Sequence, residues 1–286
     1  MTRRVFIGAA AGAALLRGRV PANSADCHLH IYESRFPVDP KSTLRPADAT
    51  VADYRLVQKR LGMTRCVLVQ PSTYGVDNRC MLEALRKLGR AARGIAVVNP
   101  GISDAELKRM HAASVRGIRF NLAQGGATTL DIVEPLAMRI AKLGWHIQVN
   151  ASPEKIRSAA EIWKGLPVDI VFDHLAHVPE PGGLDSAYGV VMDLLEKGKG
   201  WVKLSGAYAD SKVGPPSYSD REAITKAYVK NAPERLVWGT DWPHPTVTGT
   251  KPDDAALLEL LLKWVPDEVT VARILVSNPE KLYGFS

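Results

Sequence analysis

The chain has 286 residues, 46% of them hydrophobic and 23% charged, a globular balance that excludes disorder and allows one sizeable domain. No apolar run reaches the length of a spanning helix, which argues against a membrane protein, and no membrane partner is expected. The net charge of +7 is local: Arg3, Arg4, Arg17 and Arg19 lie in the acid-free residues 1–25, and the remaining 33 Lys and Arg against 30 Asp and Glu leave only +3, which excludes a nucleic-acid stripe.

The first 25 residues read as an export signal. Thr2-Arg3-Arg4-Val5-Phe6-Ile7 has the twin-arginine form, the apolar stretch Gly8 to Leu16 follows, and Val20-Pro21-Ala22 offers small residues for cleavage. That predicts a periplasmic protein, with a cytoplasmic enzyme as the alternative, and a folded domain over 26–286. Cys27, Cys66 and Cys80 show no metal or redox spacing and read as buried free thiols.

From there the chain repeats one rhythm. Strands are predicted at Asp26–Ile31, Cys66–Gln70, Gly94–Val98, Gly117–Asn121, His146–Asn150, Asp169–His174, Trp201–Ser205 and Leu236–Asp241. Helices are predicted between them: Asp53–Leu61 after a cap at Thr50, Asn78–Gly89, Ser103–Ala113 from a cap-type serine, and Leu130–Leu143. Eight strands alternating with helices predict an α/β fold, a single (β/α)8 TIM barrel. A doubly wound sheet would carry a glycine-rich phosphate loop after its first strand, and Tyr32-Glu33-Ser34-Arg35-Phe36-Pro37 stands there instead.

Such a barrel keeps its chemistry at the carboxyl ends of its strands. Alternation places Asp26, His28 and His30 on one face. His174 ends the sixth strand, Asp241 the eighth, Arg119 lies on the fourth, Gln70 on the second, and Gln148 and Asn150 on the fifth. Buried imidazoles and a buried carboxylate cost several kcal/mol unless paired or solvated, so His28, His30, His174 and Asp241 predict a functional pocket. His111 and His146 read as structural histidines.

These residues resemble a known family. Asp26-Cys27-His28-Leu29-His30 is similar to the His-x-His signature of the amidohydrolase superfamily. Val171-Phe172-Asp173-His174, Leu236 to Pro243 and Asn278 to Phe285 resemble its amidohydrolase-2 branch. Val69 to Asn78 and Val202 to Tyr208 resemble the lactone-processing subgroup, which includes 2-pyrone-4,6-dicarboxylate lactonase, sugar lactonases and, nearest in motif, D-galactarolactone isomerase.

The resemblance implies a small-molecule lactone or acid substrate. It implies Asp241 as general base, with His28, His30, His174 and Arg119 around the carbonyl. Gln70, Ser72, Thr73, Asn121, Asn150, His177 and Tyr208 are expected to bind substrate. Where further arginines are sought, this chain has Gly125 in Gln124-Gly125-Gly126, His177 and Tyr208, which favours a polyhydroxylated sugar-acid lactone over a pyrone dicarboxylate. Many relatives hold a metal with the corresponding histidines and aspartate. Here strand five ends in Gln148-Val149-Asn150 and strand four offers the cation Arg119, so metal-independent chemistry is expected. The alternative is a zinc ion on His28, His30, His174 and Asp241, serving a hydrolase or decarboxylase of an aromatic or dicarboxylic acid.

Overall fold

In the computed structural model the described residues are 18–123, 127–183 and 186–286. Most of the expected export signal, residues 1–17, and the Gln124-Gly125-Gly126 loop lie outside them. The apolar runs form eight strands in sequential order: β1 Ala25–Leu29, β2 Arg65–Val69, β3 Ala92–Ala96, β4 Val115–Asn121, β5 His146–Asn150, β6 Ile170–Phe172, β7 Gly200–Leu204 and β8 Leu236–Trp238. Each pairs in parallel with the next. The circle closes beyond the end of β8, where the Asp241 amide donates to His28 O and the His30 amide to Trp242 O, both at 2.8 Å. The ring is therefore the expected barrel, with its last seam made by active-site backbone. Ser24 and Ala25, just before residue 26, are fully buried.

The helices α1 Val51–Leu61, α2 Arg79–Leu88, α3 Asp104–Ala112 and α4 Val133–Ala141 fall where the sequence places them. Thr50 and Asp53 form a reciprocal capping box on α1, and the Ser103 hydroxyl accepts from the Glu106 amide on α3. α4 is shorter than expected because Leu130–Ile132 form a separate tight turn. The remaining helices are α5 Pro153–Ser158, α6 Ala160–Gly165, α7 Ala187–Glu196, α8 Ala207–Asp210, α9 Glu222–Asn231, α10 Asp254–Trp264, α11 Glu268–Ala272 and α12 Asn278–Tyr283. None of the described helices is long and apolar enough to cross a membrane. All three cysteines are buried and free.

Two layers of apolar side chains follow from strand alternation. Cys66 and Leu68 join the large cluster against the helices, whereas Val67 and Val69 join a small inner cluster with Ala25, Cys27, Val171 and Val237. The C-terminal Tyr283 and Phe285 belong to that inner cluster, and Arg93 fixes them by donating to Tyr283 O and Gly284 O at 3.1 and 2.6 Å.

One expectation of alternation fails. Asp26 does not share a face with His28 and His30, because the β1–β2 register shifts between Asp26 and Leu29. Its carboxylate instead accepts from the Thr240 amide at 2.9 Å, Thr240 Oγ1 at 2.7 Å, Tyr54 Oη at 3.1 Å and the His28 amide at 3.2 Å. Asp26 thus holds the irregularity that turns both histidines inward, and it ties β1 to the β8 turn. Gly239 lets this seam close, since a Cβ there would lie 2.5 Å from the His28 amide nitrogen.

Each buried donor left without a partner costs roughly 1–3 kcal/mol. Asp26→Ala is therefore expected to lower stability by about 3–5 kcal/mol in total, a drop of roughly 6–15 °C in a thermal melt. A melt within about 2 °C of wild type overturns this role.

Candidate active site

Two of the predicted strands end early for a common reason. β6 stops at Phe172 and β8 at Trp238 because the backbone leaves the ladder for the left-handed region at His174 (φ 52°) and Asp241 (φ 64°). Each such non-glycine residue costs on the order of 1–3 kcal/mol and persists only where its surroundings enforce it. Gly206 makes room for one of them: a Cβ there would lie 2.5 Å from His174 Nδ1. The turns aim His174 and Asp241 across the barrel mouth at His28 and His30.

Asp241 Oδ1 lies 3.3 Å from His30 Nε2 and 3.5 Å from His28 Nε2, and the two ring nitrogens are 3.3 Å apart. His174 Nε2 is 3.9 Å from the other oxygen, Oδ2, which accepts from the Tyr208 hydroxyl. Burial pushes the Asp241 carboxyl up, but His174, His30 and His28 outweigh that and hold it well below the usual carboxylate range. Asp241 is therefore ionised at neutral pH.

Beneath this group lies a second, fully buried one. Asp173 Oδ2 accepts from Arg119 Nε at 3.2 Å and Gln148 Nε2 at 3.1 Å. Asp173 Oδ1 stands 3.3 Å from His28 Nδ1 and 3.6 Å from Lys203 Nζ. Lys203 donates to Gln148 Oε1 at 2.7 Å and lies 3.4 Å from His28 Nδ1. Burial pushes the Asp173 carboxyl up, and His28, Lys203 and Arg119 more than reverse it. Burial, followed by the Lys203 charge, holds the His28 imidazole well below its usual value, so it stays neutral. Burial also brings the Lys203 ammonium down to about 8.

The upper atoms fit a divalent ion. Zinc–nitrogen bonds of about 2.0–2.1 Å imply tetrahedral ligand separations of roughly 3.3–3.4 Å, close to the spacings of His28 Nε2, His30 Nε2 and Asp241 Oδ1. His30 Nδ1 faces Val69 O at 2.8 Å, so its proton lies there and Nε2 is free to ligate. A His28 Nδ1 proton given to Asp173 likewise frees His28 Nε2, the usual outer-shell pattern of a metal site. His174 stands apart from this three-atom set; it groups instead with His28 and Asp173. The same residues also close without an ion. If Lys203 donates to His28 Nδ1, the His28 proton moves to Nε2 and donates to His30 Nε2. Lys203 and Asp173 thus face the same ring nitrogen with opposite demands.

The sequence-selected residues divide into those that reach the cleft and those that do not. A cavity of about 200 Å³ above the site is lined by His30, Arg119, His174 and Asp241, and by Ser72, Asn121, Asn150 and His177. Tyr208 is taken up by Asp241. Gln70 and Thr73 do not reach the cleft. Gln70 is fully buried and donates to Gly75 O and Asp77 O, and Thr73 donates to Leu44 O. Gln70 follows Leu68 by two, on the strand face towards the helices, and braces the loop after β2, while Thr73 ties that loop to the one after β1. His111 accepts from Trp145 Nε1 at 2.9 Å and His146 is buried in its strand, structural roles as expected.

Asp173, Lys203 and Asp210 are the residues sequence reasoning passed over, and Tyr32 is another that lines the cleft. Alternation carries the signal for two of them. Asp173 follows the inward Val171 by two, and Lys203 follows the inward Trp201 by two.

Fold and site together define a barrel enzyme whose His-x-His, His and Asp groups meet at the strand ends. Residues 25–285 match the family described as Amidohydrolase, and the chain belongs to that family of enzymes. It is 34% identical to a 2-pyrone-4,6-dicarboxylate hydrolase of Comamonas testosteroni, over 93% of this chain and 91% of that one. It is 30% identical to a D-galactarolactone isomerase of Agrobacterium fabrum, over 93% and 92%. Among solved structures, an apo protein of Agrobacterium tumefaciens superposes with a TM-score of 0.86 at 30% identity, covering 93% of this chain and 97% of that one.

Lys203 is charged below about pH 8 and neutral above it, so the cation facing Asp173 and His28 is lost as pH rises. kcat/KM is expected to fall on the basic side with a midpoint near 8. In Lys203→Met the rate is expected to be at least tenfold lower at pH 7, with that limb gone. A variant that keeps the same basic limb in its pH–rate profile removes Lys203 from this role.

Proposed function

We propose that this enzyme attacks the carbonyl of a small sugar-acid lactone, with Asp241 as general base. One observation carries the reading. Asp241 is an ionised, buried carboxylate in a cleft whose other charged or ionisable lining groups, among the described residues, are Arg119, three histidines and a tyrosine. The cleft thus draws an anionic ligand towards a single base. Asp241 takes a proton from water, giving hydrolysis, or from a substrate hydroxyl, giving migration of the lactone ring. The relatives' names include both outcomes, a hydrolase and an isomerase.

Tyr208 occupies Asp241 Oδ2 and must yield to the nucleophile. The Ser205 hydroxyl, 3.0 Å from His174 Nδ1, can keep the His174 proton on Nε2, where it faces the cleft and the developing oxyanion. Arg119 keeps its terminal N–H groups for a substrate carboxylate, because Asp173 holds it through Nε. One such guanidinium suits one carboxylate, and the neutral wall of Ser72, Asn121 and Asn150 suits hydroxyls, which favours a sugar-acid lactone over a planar dicarboxylate.

A second reading rests on the convergence of His28 Nε2, His30 Nε2 and Asp241 Oδ1. These atoms would hold zinc or a related ion, which would supply Lewis-acid polarisation of the carbonyl. Arg119 and Lys203, two cations against the single Asp173, favour the metal-independent form. Purified protein is expected to retain turnover after chelation and dialysis. Stoichiometric zinc whose removal abolishes activity, and whose return restores it, decides for the metal.

Asp241→Asn is expected to lower kcat by about 10²–10⁴-fold with an unchanged melt; near wild-type turnover refutes the base. A panel of aldarolactones and aldonolactones followed by NMR separates the outcomes. Open-chain acid indicates a lactonase, and a shifted ring an isomerase.

A further inference from the structure

At the foot of the barrel, the end away from Asp241, the inner face turns from apolar to cationic. Alternation puts Arg65 in line with the inward Val67, and Arg93 in line with the inward Ile95. Branched apolar side chains normally fill such positions. Both arginines are buried. Their guanidiniums lie over the same ring, that of Phe285, at 5.5 and 4.5 Å from its centre. Arg116, at the start of β4, reaches the same segment: its Nε is 3.9 Å from where a Cβ on Gly284 would stand. Arg90 is exposed on the tight turn Gly89–Ala91, just before β3.

Neutral groups anchor these cations. Besides its bonds to Tyr283 O and Gly284 O, Arg93 donates through Nη1 to Arg90 O and Ala92 O, both at 2.9 Å. Arg116 Nη1 donates to His111 O at 3.0 Å and to Val115 O at 2.8 Å. Among the described residues one carboxylate pairs with the group: Glu280 accepts from Arg65 Nη1 at 2.7 Å. The carbonyls ending α12 add a dipole equivalent to about half a negative charge. Four guanidiniums therefore answer to one full anion among the described residues. Burial holds the Arg93 guanidinium below its ordinary value, and the charges of Arg116, Arg65 and Arg90 push it further down.

The carbonyl anchors fix where the cations stand and leave donors over. Nε and Nη2 of Arg116, and Nε and Nη2 of Arg65, have no acceptor among the described residues. Fixed guanidiniums with spare N–H groups suit an oxyanion, whose several oxygens accept from more than one fork at once.

We propose that Arg65, Arg90, Arg93 and Arg116 bind a small tetrahedral oxyanion, inorganic phosphate or sulfate, at the foot of the barrel. The bound ion ties the starts of β2, β3 and β4 to the C-terminal segment Tyr283–Phe285, so its effect is read in stability.

Thermal melts in phosphate and in chloride at equal ionic strength test this. At a phosphate concentration ten times the dissociation constant, the wild type is expected to melt about 3–5 °C higher than in chloride, and sulfate is expected to act likewise. Each variant is compared with its own chloride melt. Arg90→Gln/Arg116→Gln is expected to lose the difference. Arg90→Gln alone, a change at an exposed side chain, is expected to cut it by about half. No rise in the wild type, or a rise that both variants keep in full, overturns the site; the second result marks a general salt effect or binding in the cleft beside Arg119.

Phospholipid headgroups carry the same chemistry, so vesicles of phosphatidylglycerol form the second arm. The wild type is expected to stay in solution when they are sedimented at about 0.15 M salt. Sedimentation that Arg90→Gln/Arg116→Gln abolishes gives the cluster to a lipid surface and overturns the free-ion proposal.

Discussion

One buried carboxylate, Asp173, organises the centre of this barrel. It is fully buried and meets Arg119 from β4, Gln148 from β5, Lys203 from β7 and His28 from β1. Four strands are therefore cross-linked through one buried anion. Removing one partner of such a cluster leaves an uncompensated ion in a dry interior, at a cost of roughly 3–5 kcal/mol. The cluster also has a consequence above itself. Burial, then Lys203, keeps His28 neutral, and Lys203 and Asp173 decide which of its two nitrogens carries the proton, and thereby whether the ring presents a lone pair or a donor to Asp241 and His30.

Strain is the second constraint. Asp241 and the run His174, Leu175, Ala176 and His177 all adopt positive φ, in a region where most side chains are disfavoured. The structure holds them there with elements that have no catalytic chemistry. Gly206 gives the space beside His174, Gly239 allows β8 to approach His28, and Asp26 anchors the Thr240 turn before Asp241. The barrel's last seam and the placement of the Asp241 carboxylate thus depend on the same few atoms. The short helix α8 adds a second connection, since Tyr208 reaches Asp241 while Asp210 reaches His177.

Much of this was legible in the chain. The barrel followed from eight apolar runs, with boundaries that moved by at most three residues and β5 found where predicted. The pocket residues His28, His30, His174 and Asp241 followed from ionisable groups ending such runs. The failures have physical causes. Asp26 was placed with the histidines because alternation cannot foresee a register shift. Gln70 looked like a cleft residue because it ends the second strand, yet it follows the outward Leu68 by two and donates to the carbonyls of Gly75 and Asp77, and Thr73 is spent on Leu44 O. Lys203 was overlooked inside Val202-Lys203-Leu204, although a lysine within a buried strand needs a partner as much as a histidine does.

The sequence by itself determined the period of the strands, the family, and the residue types available at the barrel mouth, because these depend on local pattern and on motif. Only the tertiary structure decided which atoms face which. The spacing of His28, His30 and Asp241, the competition of Lys203 and Asp173 for one ring nitrogen, and the gathering of Arg65, Arg93 and Arg116 around Gly284 and Phe285 all join residues far apart in the chain. Their distances are fixed by barrel closure, by one irregular strand and by strained turns, and none of these leaves a periodic signal for a linear reading to find.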